Sequence, residues 1–205
     1  MKPAVYLDLD RTLFRTNETY QIWDEIGRLY PQIDAAEQYQ KRLDYHLYVG
    51  DLYYCDMARH LSDIGLVPEE VYTRLADGRL YDGRFEFEGV HELIEALRGK
   101  TDLRIFTFGT DDYQRFKASL CPSLFNIPVV ATLRPKAELL TDLNTSCWLV
   151  DDKPIGHELP PHAEFVQVNL EGMPLIDTTS WPIFTSLHEL REYLVANVSM
   201  SQDNI

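Results

Sequence analysis

Short apolar runs rich in strand formers recur along this chain at residues 4–7, 103–107, 129–131, 147–150 and 165–168, and helical patterns lie between the later ones. Val90, Leu93, Ile94 and Leu97 keep i, i+3, i+4, i+7 spacing and stop at Gly99, which reads as a helix ending at a glycine cap. Further helices are expected from Tyr113 to Leu120, after Pro135, and along the stripe Leu187, Leu190, Leu194, Val198. A buried strand reads as a continuous apolar run, whereas a half-solvated strand alternates. Largely apolar runs separated by helices therefore point to a parallel sheet with crossover helices.

Residues 16–80 break that rhythm. Trp23, Ile26 and Tyr30 fit one amphipathic helix, and Tyr54, Met57, Leu61 and Ile64 fit a second that closes at Gly65. The spacing predicts helices here and no strand. Nine of the twelve tyrosines fall between Tyr20 and Tyr81. They serve either as apolar area with a wet hydroxyl on thinly buried helices or as the lining of a substrate pocket. A chain of 205 residues suits one domain with a large insertion, or two unequal domains.

Composition removes several classes of partner. Lys and Arg number 19 against 33 Asp and Glu, a formal charge of −14, so nucleic acid and anionic membranes would be repelled. Cys55, Cys121 and Cys147 are scattered without metal-site spacing, which suits a reducing compartment. No apolar stretch has the length of a signal sequence or a membrane span. The expectation is a cytoplasmic protein.

Chemistry-bearing residues cluster at the ends of the apolar runs. Asp8-Leu9-Asp10-Arg11-Thr12 follows the first strand, Thr107-Phe108-Gly109 closes the second, Lys136 opens a helix after Pro135, and Asp151-Asp152 closes a third apolar run. Carboxylates at a strand exit point outside the carboxyl end of a sheet, and like charges so close call for a cation or a shared proton. A lysine at a helix start opposes the helix dipole unless it faces an anion. His157-Glu158 with His162 is spaced too widely for a zinc-protease motif, and Pro160 and Pro161 prevent the helix it needs. His46, His60, His91 and His188 read as surface or capping residues.

These groups, in this order, resemble the motifs of the haloacid dehalogenase superfamily of phosphohydrolases. Asp8, Asp10 and Thr12 match its first motif, Thr107 its second, Lys136 its third, and Asp151 with Asp152 its fourth. The resemblance implies an α/β fold: a Rossmann-like parallel sheet core with helices on both faces, at residues 1–15 and 81–205, and an inserted α-helical cap at residues 16–80. It implies Mg²⁺-dependent hydrolysis of a small phosphate monoester. Asp8 would be the nucleophile, Asp10 the general acid and base, Thr107 and Lys136 the phosphoryl-stabilising groups, and Asp8, Asp10, Asp151 and Asp152 the metal site. Asp151 and Asp152 remain alternatives for the direct ligand. Arg11, Thr12, Phe108 and Gly109 are candidate substrate-binding residues. Arg11 and Phe108 depart from the family pattern, where glycine and asparagine are commoner, and Arg11 either binds an anionic group or points away. The implied partner is a small phosphorylated metabolite, not nucleic acid or a membrane. A phosphotransferase or mutase, a dehalogenase, and a non-catalytic module that binds a phosphoryl ligand are the competing readings. A signalling receiver domain is disfavoured, because its acceptor aspartate lies in mid-chain.

Overall fold

The computed structural model describes residues 2–143, 145–173 and 180–200, with side chains to residue 198. The five expected core strands, joined by a sixth that the sequence did not announce, form one six-stranded sheet in the order β5-β4-β1-β6-β7-β8. These are β1 (Ala4–Leu7), β4 (Asp102–Phe108), β5 (Val129–Thr132), β6 (Cys147–Asp151), β7 (Ala163–Val168) and the short β8 (Ile183–Phe184). Every pairing between them is parallel. The chain starts in the middle of the sheet, builds β4 and β5 on one side of β1, then crosses to build β6, β7 and β8 on the other. The carboxyl end of β1 is thus the topological switch point, where open α/β sheets place their ligands.

Strand alternation divides the core. Val5, Leu7, Ile105, Val150 and Val166 face α5 (Val90–Leu97), α6 (Asp111–Ser119) and α8 (Leu187–Met200). Tyr6, Phe106, Leu149 and Phe165 face the other way, onto Leu140 of α7 (Lys136–Leu143). The central strands β1 and β6 are buried on both faces along nearly their whole length, and their sequences are apolar up to the carboxylate that ends them.

The 16–80 insertion departs from the expected all-helical cap. It holds α1 (Tyr20–Leu29), α2 (Ala35–Lys41), α3 (Met57–Asp63) and α4 (Pro68–Ala76), but also an antiparallel hairpin of β2 (His46–Val49) and β3 (Leu52–Cys55). Tyr54, which the periodicity placed on a helix, lies in β3. Helix α3 begins only after Asp56, whose carboxylate caps it by accepting from Arg59 N at 3.1 Å. The aromatic and β-branched content of 45–55 suits a strand, and an apparent helical period across 54–64 arose from joining a strand residue to a helix.

The insertion is also not separate from the main core. Ile22, Trp23, Ile26, Met57, Leu61, Val71 and Leu75 belong to the same buried apolar cluster as Val5, Leu7 and Ile105. At the neck, outgoing and returning segments pair: Arg15 N donates to Phe85 O at 2.7 Å and Phe87 N to Leu13 O at 3.2 Å. The Phe14 and Phe85 rings stack there at 5.2 Å and are fully buried.

Candidate active site

The β1 ladder carries Asp8 into place. Its backbone N–H donates to Val150 O at 2.9 Å, setting Asp8 level with the end of β6. The chain then turns tightly, with Leu13 N and Phe14 N both donating to Leu9 O. Arg11 holds that turn at φ 62°, in the left-handed region. A residue with a Cβ pays roughly 1–2 kcal/mol there and a glycine would not, so this turn favours glycine and Arg11 occupies it under strain. The Arg11 side chain pairs with Glu171 at 3.2 Å while lining the cavity.

Lys136, the first residue of α7, is the centre of the cluster. Its ammonium donates to Asp8 Oδ1 at 2.5 Å and to Asp151 Oδ2 at 2.6 Å, and it is 6% exposed. The unfavourable place at a helix start is therefore offset by two carboxylates, as the sequence reading required. Asp151 also accepts from Lys153 N at 2.9 Å through its other oxygen. Among the described residues, no hydrogen bond reaches the Asp152 carboxylate, which leaves Asp152 the freer of the pair to hold a cation.

Asp8, Asp151 and Asp152 bring carboxylate oxygens within 4.8 Å of one another. Burial pushes the Asp8 carboxyl up to about 6, against the pull of Lys136 and with a further push from Asp151 and Asp10. Burial likewise raises Asp152 to about 8, helped by the charges of Asp8 and Asp151. Lys136 is itself pushed above its ordinary value: burial opposes its charge, but Asp151 and Asp8 outweigh that. Three crowded carboxylates against one ammonium leave surplus negative charge in a buried place. A hard divalent cation with oxygen ligands fits that donor set.

Thr107 closes β4 beside the cluster. Its hydroxyl is buried and meets no hydrogen-bond partner in the protein, although Thr107 lines the cavity. An orphan hydroxyl here has an acceptor missing, and a phosphoryl oxygen would supply one.

Asp10 is held by groups that sequence reasoning missed. Lys117 Nζ donates to Asp10 Oδ2 at 2.5 Å, Thr16 Oγ1 to Oδ1 at 3.0 Å, and Gln114 Nε2 approaches Oδ2 at 3.4 Å. Burial pushes the Asp10 carboxyl up, but the Lys117 charge and these hydrogen bonds outweigh it and hold Asp10 below the usual range. Gln114 and Lys117 are 3% and 4% exposed. They share one face of α6 with Tyr113 and Phe116, and two polar residues at i, i+3 within an apolar stripe were the available signal.

The structure corrects two candidate substrate contacts. Thr12 is completely buried and donates to Asp8 Oδ2 at 3.4 Å, so it braces Asp8 and does not face the cavity. Gly109, at φ +147°, does not line the cavity; a Cβ there would lie 2.3 Å from Gln114 Nε2, so its bare backbone admits Gln114. Arg11 and Phe108 do line the cavity, as do Asp8, Asp10, Thr107, Lys136, Asp151 and Asp152. Two of the histidine readings change as well. His60 is fully buried, stacked on Tyr45 at 4.0 Å with Nε2 3.0 Å from Gln38 Oε1, and half-buried His46 lines the cavity. His162 accordingly bonds Leu140 O at 2.9 Å, away from His157.

No protein-family model and no curated protein matches the sequence. Solved structures do. A haloacid dehalogenase-like hydrolase from Burkholderia xenovorans LB400 is 15% identical, with 94% of this chain and 96% of that one covered at a TM-score of 0.62. The chain carries the haloacid dehalogenase-like fold. The HAD-hydrolase YfnB from Bacillus subtilis, bound to magnesium, aligns over 94% of this chain and 98% of its own at 13% identity and TM-score 0.56. The defluorinating L-2-haloacid dehalogenase Rha0230 aligns over 94% and 95% at 12% identity and TM-score 0.55. A haloacid dehalogenase-like fold thus hosts more than one chemistry, and only this chain's own residues can choose among them. Among the described residues, no helix is long and apolar enough to cross a membrane.

Proposed function

We propose that this chain is a haloacid dehalogenase superfamily phosphatase that hydrolyses small phosphate monoesters through an aspartyl-phosphate on Asp8. The observation that carries the reading is the joining of Asp8, Lys136 and Asp151 by hydrogen bonds of 2.5 and 2.6 Å beside the orphan Thr107 hydroxyl. A nucleophile, a fixed cation and a vacant donor meet at one point.

The chain's residues divide the work. Asp8 attacks phosphorus, forming an O–P bond as the bond from phosphorus to the substrate oxygen breaks. Asp8 attacks in its ionised form, which the Lys136 ammonium favours against the opposing effect of burial. Lys136 neutralises charge on the phosphorylated carboxylate, and Thr107 donates to a phosphoryl oxygen. Asp10 handles the proton: it gives one to the departing alkoxide, then takes one from the water that releases phosphate from Asp8. Lys117 and Thr16 keep Asp10 ionised in the resting site, the state suited to the second half of that task. A phosphoryl dianion beside Asp10 pushes its carboxyl upward, toward the protonated state needed for the first. Asp8, Asp152, Asp151 and the Asp10 main chain would hold Mg²⁺, which supplies Lewis-acid stabilisation of the phosphoryl charge.

Loss of a halide needs no proton, so a dehalogenase has no use for a carboxylate secured as Asp10 is. A mutase would use the same groups with a sugar hydroxyl in place of water. The substrate would be a small metabolite, since the 16–80 insertion roofs the cavity, and the acidic chain would act away from nucleic acid and membranes, in the cytoplasm. The test is phosphate release from phenyl phosphate. EDTA is expected to abolish it and Mg²⁺ to restore it. Turnover that survives complete metal removal overturns the metal-assisted reading.

A further inference from the structure

The cavity above the cluster is about 560 Å³, far more than a phosphoryl group fills and within the size range of pockets for organic ligands. What lines the remainder is specific. On the floor Phe108 follows Thr107 directly, and in the roof Tyr54 of β3 meets it edge-to-face at 6.1 Å. In the lining of the same cavity, the Arg42 guanidinium carbon lies over the Tyr39 ring, 3.6 Å from its centroid, with Nη1 donating to Tyr39 O at 2.5 Å.

Among the described residues, Arg42 shares with Arg74 and Arg79 the lack of a carboxylate within 4 Å, but of these three it alone lines the cavity. Arg15, Arg28, Arg59, Arg84, Arg98, Arg104, Arg115 and Arg134 each have a carboxylate within 4 Å. Among the described residues, none lies that close to Arg42, although acids outnumber bases 33 to 19. A half-buried guanidinium that is fixed by stacking, and left without a counter-ion in an acidic protein, is pre-organised for an anion from outside.

We propose that the preferred substrates are phosphate monoesters of a flat aromatic alcohol bearing a second anionic group, with the ring packed against the wall that Tyr54 and Phe108 form together and the anion on Arg42. This rests on the phosphatase reading and narrows it. Aromatic walls favour a planar ring over a saturated one through stacking geometry. The second charge sits away from the reacting phosphorus, so it contributes orientation as well as affinity. Asp51 and Glu158 also line the cavity, and they make a cationic substituent the rival choice.

The experiment compares benzyl phosphates whose leaving alcohols are nearly alike: unsubstituted, 4-carboxy, 4-carbamoyl and 4-aminomethyl, with the 4-carboxycyclohexylmethyl ester as the saturated partner. In the wild type, kcat/KM is expected to be about tenfold higher for the 4-carboxy than for the 4-carbamoyl ester, the scale of one charged hydrogen bond. The saturated ester should fall below its aromatic counterpart. In Arg42→Gln the carboxy-to-carbamoyl ratio should drop to about one. A wild-type ratio near one, a preference for the aminomethyl ester, a faster saturated ester, or a ratio that persists in Arg42→Gln overturns the proposal while leaving a phosphatase. Failure to release phosphate from any ester, phenyl phosphate included, overturns both. The wild-type ratio alone decides the matter if the variant does not fold.

Discussion

At the carboxyl end of the sheet, ionic groups are buried and fix one another: Lys136 binds Asp8 and Asp151, and Lys117 binds Asp10, over sequence separations of 128, 15 and 107 residues. In the 16–80 insertion the ion pairs Lys41–Glu37 and Arg59–Asp63 are exposed and local, and the interior is organised by rings, His60 against Tyr45 and Trp23. The first region fixes where each charge sits because each group has a partner on another strand or helix. The second offers shape and aromatic surface. A buried ionic network tolerates little change, since removing one member leaves the others unpaired. A packed aromatic roof loses contact area instead, by amounts that scale with what is removed.

The largest effect should come from the ionic floor. Asp8→Asn removes the proposed nucleophile and should lower kcat by on the order of 10⁴-fold or more on aryl and alkyl esters alike. Substantial residual turnover would take Asp8 out of that role and erase the contrast with the roof. Next comes the neck, where floor and roof share one core. Phe85→Ala deletes half of the stacked Phe14–Phe85 pair and should cost about 3–5 kcal/mol in denaturant unfolding. A cost below about 1 kcal/mol would mean that the insertion is energetically separate from the sheet after all.

The roof carries its own pH dependence. Burial lowers the His60 imidazole to about 4, against about 6.5 in an unfolded chain. Between those values the unfolded state binds the extra proton, so stability is fully present above about pH 6.5 and falls as pH drops toward 4. The integrated loss is about 3 kcal/mol at most. His60→Phe should flatten that part of the curve of stability against pH; an unchanged slope would show that other groups carry it. The smallest of these effects is set by Lys117. Lys117→Met frees Asp10 from its ammonium and should lower kcat/KM by about 100-fold, the low end for general acid–base help. The loss should be greater for alkyl than for aryl esters, because only the poor leaving group depends on proton delivery. Equal losses on both would make Lys117 a part of the scaffold.

Much of the floor was legible before folding. The core strands are mostly apolar because the sheet is covered on both faces, and Asp8, Thr107, Lys136 and Asp151 sit at strand or helix ends, where the sheet's geometry brings them together. The short strand β8, the hairpin and the start of α3 were not legible. A two-residue strand has no period, and Tyr54 satisfied a helical spacing by coincidence across the cap at Asp56.

By itself the sequence determined that a parallel α/β sheet would gather Asp8, Asp10, Thr107, Lys136 and Asp151–Asp152 at its carboxyl edge, because apolar run length and residue order are local properties that the parallel topology converts directly into position. Only the tertiary structure decided which groups pair. Lys117 reaches Asp10 and Arg42 is left without an acid, because partnership depends on distances between residues far apart in the chain. It also decided that His60 is core and not surface, and that Thr12 and Gly109 stand behind the site. Burial is a property of what packs on top of a residue, and the segments that do so here lie far away in sequence or on helices whose faces are fixed only by docking.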